Sequence, residues 1–189
     1  LVRQHTGSQH TVPLLRQPEQ TIFPLTSAQQ QMWVLHQLDS SGAAYNMPML
    51  LQLNGELDKT SLLQVLQQIS QQQAAFHTIY AEDNGTVFQR LHPGAELQFS
   101  EQDLSATPQA LARYFAADAN SAFDLTAAPA YRFVLYKLAA HSHALGVVMH
   151  HINADGSSFQ LLLRQLCQGY RQREQQQHWQ APRPQLQMA

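Results

Sequence analysis

The feature that most constrains the fold is a short apolar run that ends in two histidines and is followed by a helical pattern. Residues 146–149 read Gly-Val-Val-Met, which predicts a buried strand. After His150-His151 and a three-residue gap, Asp155-Gly156 predicts a sharp turn in which the glycine takes a positive φ. Apolar residues then recur at helical spacing, so we expect Ser157 or Ser158 to cap a helix. This strand–loop–helix unit places both histidines at the end of a rigid strand.

The two histidine rings should point to opposite faces, because neighbouring side chains alternate along an extended backbone. We expect one ring to face a cleft and the other to pack inside. An imidazole, with an ordinary pKa of about 6.5, is well suited to taking a proton at neutral pH. Core packing, catalysis and a metal site that also uses His141 and His143 remain alternatives, although divergent rings do not chelate one ion.

A predicted hairpin brings an arginine towards this unit. Residues 131–138 read as a strand that pairs with residues 143–149. Arg132 shares a face of that strand with apolar residues, where an unpaired buried charge costs several kcal/mol. We therefore predict a salt bridge between Arg132 and Asp155 that holds the loop in shape.

Local signals predict further elements on either side. Thr26 or Ser27 is expected to cap a first helix, and Asp58 a second one. Residues 47–53 alternate as a strand does, and Asn84-Gly85 predicts the turn of a β-hairpin. The expected fold is therefore a sheet with helices packed on it.

Composition excludes several classes of function. Only 13% of the 189 residues are charged and the formal net charge is −2, which disfavours nucleic acid and anionic membranes as partners. Neither a transmembrane run nor a signal peptide is visible, so we expect a cytoplasmic protein. A single cysteine, Cys167, excludes an internal disulfide, and we expect it to be buried on the apolar side of its helix.

Taken together, the spacing His150-His151-x-x-x-Asp155-Gly156 resembles the H-H-x-x-x-D-G signature of the chloramphenicol-acetyltransferase-like acyltransferases. Its surroundings resemble the condensation domains of nonribosomal peptide synthetases. Residues 25–33, Leu-Thr-Ser-Ala-Gln-Gln-Gln-Met-Trp, are similar to the first motif of that family, with Gln31 where arginine is usual. Residues 123–132 are similar to the third motif, Phe-Asp-Leu-x-x-x-Pro-x-x-Arg. The second motif is poorly matched by residues 72–80, which lack its arginines and its acid.

The resemblance implies an α/β, layered α+β fold: a chloramphenicol-acetyltransferase-like lobe with a mixed, mostly antiparallel sheet covered by helices. A complete condensation domain has two such lobes, with the signature histidine in a tunnel between them. We therefore expect a linker over residues 1–20, an N-terminal lobe over residues 21–175 and a linker towards a C-terminal lobe over residues 176–189. An isolated lobe is expected to be inactive because half of the tunnel is missing.

The resemblance also implies a reaction: amide-bond formation between a carrier-bound acyl or peptidyl thioester and the amine of a carrier-bound amino acid. His151 is the implied catalytic residue, and His150, Asp155, Gly156 and Arg132 support the site. No metal and no bound cofactor are expected, since the substrates arrive on phosphopantetheine arms. The implied partners are donor and acceptor carrier proteins, the C-terminal lobe and adjacent synthetase domains. The alternatives are an epimerisation-domain lobe and a non-catalytic module that docks carriers.

Overall fold

A computed structural model describes residues 20–182 except residues 40 and 93, so the linker predicted for residues 1–20 lies almost wholly outside the described residues. The helices of the described part are α1 (Ser27–Leu38), α2 (Lys59–Gln72), α3 (Leu111–Ala119) and α4 (Gly156–Glu174). Its strands are β1 (Ile22–Pro24), β2 (Asn46–Asn54), β3 (Thr78–Asp83), β4 (Thr86–Leu91), β5 (Phe99–Asp103), β6 (Tyr131–Ala139) and β7 (Ser142–His150). Short 3-10 helices lie at Ala74–His77 and Pro108–Ala110.

The strands form two sheets. The main sheet has the order β2-β7-β6-β5, in which β5 and β6 are parallel and the other pairs are antiparallel. The smaller sheet has the order β1-β4-β3 and contains the predicted Asn84-Gly85 hairpin. The predicted β6–β7 hairpin is present, with Tyr131 opposite Met149. A mixed, mostly antiparallel sheet covered by helices is confirmed.

The core forms on both faces of the main sheet. Helices α2 and α4 cover one face, where apolar residues of both helices meet alternate residues of β6 and β7 (Leu62, Leu66, Ile69, Leu162, Leu166, Phe133, Leu145 and Val147). On the opposite face, α1 and the small sheet meet Val148, while α3 packs over Val134 and Tyr136. Among the residues described, no helix combines the length and the apolar character needed to cross a membrane.

Two helices begin at the N-cap residues that the sequence predicts. Thr26 accepts a hydrogen bond from the Gln29 amide, and the Gln29 side chain accepts one from the Thr26 amide, which completes a capping box. Asp58 caps α2 by accepting from the amide of Ser61. Both caps satisfy amides at the first turn, so these helix starts are encoded locally.

Two expectations about α4 and the segment after it are wrong. Cys167 is exposed, because the buried positions of α4 are residues 162, 165, 166 and 169, and this spacing turns position 167 outward. The predicted linker begins too early, since Trp179 is only 4% exposed and belongs to the core. Its ring fits over Gly169, where a Cβ atom would lie 2.8 Å from the indole. The chain therefore continues to pack on α4 beyond residue 175.

Candidate functional site

The two histidines diverge as predicted from strand alternation. His150 is the last residue of β7, and its side chain is 0% exposed, whereas the side chain of His151 is exposed at the start of the following loop. The backbone holds this strand end firmly. The amide of His150 donates to the Ala130 carbonyl at 3.0 Å, and the amide of His151 donates to the Tyr45 carbonyl at 2.9 Å. The change from strand to loop is thus fixed from two neighbouring segments.

His150 is a buried, neutral imidazole. Its Nδ1 accepts a hydrogen bond from the Ile152 amide at 3.1 Å, so the ring proton of the neutral form is on Nε2. Its ring meets His36 of α1 edge-on at 5.0 Å between centroids, and Phe123 at 6.4 Å. Burial, and then the neighbouring His36 and His151, lower the pKa of His150 to about 4. This histidine therefore stays uncharged near neutral pH and serves as a packing element.

His151 has the opposite character. Its Nδ1 lies 2.8 Å from the carbonyl oxygen of Ala154. A carbonyl oxygen can only accept, so Nδ1 is the donor in this contact, and in the neutral ring Nε2 carries the lone pair. The ring is also exposed. His151 is consequently a fixed imidazole with its basic nitrogen available to an incoming group.

Asp155 caps α4 and makes no salt bridge with Arg132. Its Oδ1 accepts hydrogen bonds from the Ser158 amide at 2.9 Å and from the hydroxyls of Ser157 and Ser158 at 2.7 and 2.8 Å. The two hydroxyls and the Ser158 amide lower the pKa of Asp155 to about 2. The predicted cap by Ser157 or Ser158 is therefore wrong. The N-cap is Asp155, whose carboxylate accepts the hydrogen bond from the Ser158 amide three residues later.

Gly156 also differs from its prediction. It is the first residue of α4, it is exposed, and it does not have the positive φ expected of a sharp turn. A Cβ atom at this position would meet no other atom within 4 Å. Asp155 has an extended backbone conformation and is the N-cap of α4. The helix therefore begins at the next residue, Gly156, without an intervening turn residue.

Arg132 stabilises a different segment. Its Nη1 donates to the Asp118 carbonyl at 2.8 Å and its Nη2 to the Ala122 carbonyl at 3.0 Å, where α3 ends. The guanidinium carbon lies 3.9 Å from the centroid of the Phe123 ring, a cation–π geometry. The predicted bridge to Asp155 is wrong because backbone carbonyls and an aromatic face satisfy the half-buried charge instead. Through Phe123, Arg132 supports the packing around His150.

A buried polar network fixes the loop after His151, and the sequence analysis missed it. The hydroxyl of Tyr80 donates to Asn153 Oδ1 and accepts from Gln29 Nε2 at 3.3 Å, and the same Nε2 donates to Gln89 Oε1 at 3.2 Å. Asn153 Nδ2 also donates to the Ala75 carbonyl at 3.4 Å. The available signal was Gln29, a polar residue on the buried side of α1.

An exposed imidazole such as His151 can transfer a proton or accept a hydrogen bond from an incoming group. Among the residues described, no group of three or more His, Cys, Asp or Glu side chains is placed to hold a metal ion. Of the residues predicted for the site, the structure brings together His150, His151, Asp155 and Gly156. Arg132 belongs to the neighbouring α3 end.

Comparisons with known proteins show which family the chain is similar to. The family model described as "Condensation domain" matches residues 19–187. Gramicidin S synthase 2 of Brevibacillus brevis is 33% identical over 159 residues, which cover 83% of this chain and 4% of that protein. The first condensation domain of the calcium-dependent antibiotic synthetase, solved with a substrate analogue, is 26% identical with a TM-score of 0.76, covering 86% of this chain and 40% of that one.

A further solved relative is the X-domain from teicoplanin biosynthesis in complex with OxyB. It is 26% identical with a TM-score of 0.77 and covers 92% of this chain and 37% of that chain. The chain therefore spans well under half of the solved domains that it matches and a few per cent of the curated synthetases.

Proposed function

The chain belongs to the condensation-domain family of nonribosomal peptide synthetases and corresponds to the N-terminal lobe of such a domain, and from this premise we propose that His151 serves amide-bond formation. The substrates are a donor thioester and the amine of an acceptor amino acid, both carried on phosphopantetheine arms by carrier proteins of a cytoplasmic synthetase. The observation that carries this proposal is the exposed His151 ring with its Nδ1 held by the Ala154 carbonyl at 2.8 Å.

The chemistry follows from the tautomer. The acceptor amine attacks the thioester carbonyl, a C–N bond forms, and the C–S bond breaks with release of a thiol. His151 Nε2 orients the amine or accepts the proton that it loses, and this proton ends on the leaving thiolate. General-base assistance is worth about 10²–10⁴-fold in rate, and holding the amine in line adds to it. His150 and Asp155 act indirectly by fixing the strand end and the helix start.

The remainder of the site comes from other chains or segments. In this family the signature histidine works in a tunnel between two lobes, and we propose that the C-terminal lobe supplies the opposite wall. On that basis the isolated lobe is inactive. The exposure of His151 supports this arrangement, since a ring on the surface of one lobe becomes enclosed when a second lobe covers it.

The test is His151→Ala in the complete synthetase module, with both carriers loaded. We expect loading to be unchanged and condensation product to fall at least about 100-fold. His141→Ala is the matched control, because His141 is an exposed histidine in the turn between β6 and β7, at the opposite end of the hairpin. Equal product from the two variants would remove His151 from the mechanism.

A second candidate function is a docking module without catalysis. The similarity to an X-domain solved in complex with OxyB favours it, as does the poor match to the second motif. In that case the loaded module binds its partner proteins, but neither the unmodified protein nor His151→Ala forms product. The same assay therefore separates the two candidates.

A further inference from the structure

One buried tyrosine lies where the small sheet meets the loop that follows His151. Tyr80 of β3 is 0% exposed, and its hydroxyl donates to Asn153 Oδ1. The Ile152 carbonyl lies 3.4 Å from the same hydroxyl. Burial raises the pKa of Tyr80 above its ordinary value, so the hydroxyl stays protonated and remains a donor. Both groups that can accept its proton therefore belong to the loop.

The orientation of this hydroxyl is fixed from the side of α1. Gln29 Nε2 donates to it at 3.3 Å and donates to Gln89 Oε1 at 3.2 Å. Gln29 Oε1 in turn accepts from the Thr26 amide, and Gln89 Nε2 donates to the Pro24 carbonyl at 3.1 Å. Both glutamines are buried. Because each side chain has its partners on two sides, the tyrosine hydroxyl presents a lone pair to α1 and its proton to the loop.

The loop needs such support because the contact that orients His151 is weak by itself. His151 Nδ1 meets the Ala154 carbonyl at 2.8 Å in an exposed position, where water competes for both groups. The contact persists only if the backbone already places that carbonyl against the ring. Ala154 lies between two anchored residues: Asp155 caps α4, and Asn153 is held by the tyrosine hydroxyl and by the Ala75 carbonyl.

We propose that Tyr80 is a positioning residue for His151. Its hydroxyl holds Asn153 and thereby keeps the next carbonyl, that of Ala154, against Nδ1–H of the imidazole ring. Without this carbonyl the proton of a neutral ring is shared between the two nitrogens, so fewer rings present a lone pair at Nε2. The benefit of this arrangement for condensation rests on the proposed function. Tyr80 acts through the loop, and the position of the ring proton is its direct readout.

Nuclear magnetic resonance tests the position of the proton. Long-range ¹H–¹⁵N correlations of the 189-residue chain, recorded at a pH at which the rings are neutral, report which ring nitrogen is protonated. The His151 signals are those missing in His151→Ala. In the unmodified chain we expect the proton mainly on Nδ1. In Tyr80→Phe we expect the Nδ1-protonated fraction to fall about twofold, the result of equal sharing, and to approach that of the exposed His141.

Tyr136→Phe is the matched control. Tyr136 is also 0% exposed, and its hydroxyl also donates to a side-chain oxygen, that of Asp118. It pairs with Ala144, six residues before the end of β7, which is about 20 Å along the strand. The control therefore loses a buried hydrogen bond far from the loop and should keep the His151 proton on Nδ1. An equal shift in both variants would refute the proposal, since general loosening would then explain it.

A second variant interrupts the same contact from the loop. Asn153 is only half-buried, so Asn153→Ala provides the measurement even if Tyr80→Phe does not fold. We expect the same loss of Nδ1 protonation, with the unfolding temperature recorded alongside. An unchanged Nδ1-protonated fraction in the folded variants would overturn the positioning role of Tyr80.

Activity separates this role from the catalytic proposal. In the complete module we expect Tyr80→Phe to lower kcat about tenfold with KM changed less than about twofold, because the amine still binds but meets fewer correctly protonated rings. Tyr136→Phe should keep both constants. A lower kcat without a change of the ring proton would refute the positioning role. A shifted ring proton together with normal product formation by His151→Ala would confirm the positioning and refute only the catalytic role of His151.

Discussion

His150 and His151 are consecutive in the chain, and their rings occupy opposite environments. The His150 ring is enclosed between His36, Tyr45 and Phe123, and its pKa falls to about 4. The His151 ring is exposed and is fixed by a single contact to the Ala154 carbonyl. Strand alternation produces this separation. The buried ring packs the end of β7 into the core, and the exposed ring is accessible to an incoming group.

Truncation of the buried ring should have the largest effect on folding. His150→Ala removes a fully buried aromatic side chain and leaves the Ile152 amide without its acceptor. By analogy with large-to-small core substitutions, we expect the free energy of unfolding to fall by about 3–5 kcal/mol. Denaturant titration measures it. A loss below 1 kcal/mol would mean that the ring is not packed as described.

The buried ring also predicts a pH dependence. The pKa of His150 is lowered from 6.5 to about 4, so the unfolded chain binds its proton more readily than the folded chain does. The contribution of His150 to the free energy of unfolding is therefore present at pH 7. It is lost as the pH falls below about 6.5, which lowers the free energy of unfolding by about 3 kcal/mol at pH 4. The neighbouring groups in this environment are His36, Asp39 and the exposed His151.

The control for this pH dependence is His150→Asn, which keeps an acceptor for the Ile152 amide but does not titrate. Folding also lowers the pKa of His77, mainly through burial, and this contribution is the same in the unmodified protein and in His150→Asn. The difference between the stability–pH curves of these two proteins therefore gives the contribution of His150 alone. Parallel curves between pH 4 and pH 7 would contradict the assignment.

The helix cap beside the exposed ring should have a smaller effect. Asp155→Ala removes an N-cap, and we expect a loss of about 1 kcal/mol, whereas Asp155→Ser should retain most of the stability. A double-mutant cycle with Arg132→Gln should give a coupling energy below about 0.5 kcal/mol, since the two residues share no contact. A coupling of several kcal/mol would restore the salt bridge that the sequence suggested.

Truncation of the exposed ring should have the smallest effect on folding. His151→Ala is expected to change the free energy of unfolding by no more than about 0.5 kcal/mol, as surface substitutions do. His150→Ala and His151→Ala remove the same ring at consecutive positions, so the difference between their free energies of unfolding reports the difference in environment. A loss as large as that of His150→Ala would show that the ring is structural and that the two positions do not differ.

The sequence by itself determined the features that depend on a few neighbouring residues. Because side chains alternate along β7, the two histidine rings had to diverge. Thr26 and Asp58 cap their helices because each lies three residues before the amide from which it accepts a hydrogen bond. The Asn84-Gly85 hairpin and the pairing of β6 with β7 were also predictable. The motif resemblance gave the fold class, which the sheet order confirms.

Only the tertiary structure decided which polar groups meet across long separations in sequence. Arg132 had several possible partners, and the position of the α3 end selected backbone carbonyls and the Phe123 ring. The contact of Tyr80 with Asn153 joins residues 73 positions apart, and Trp179 returns to cover Gly169. Helix periodicity and caps are set by bonds within one turn, whereas these contacts depend on how separate elements pack, which no local pattern encodes.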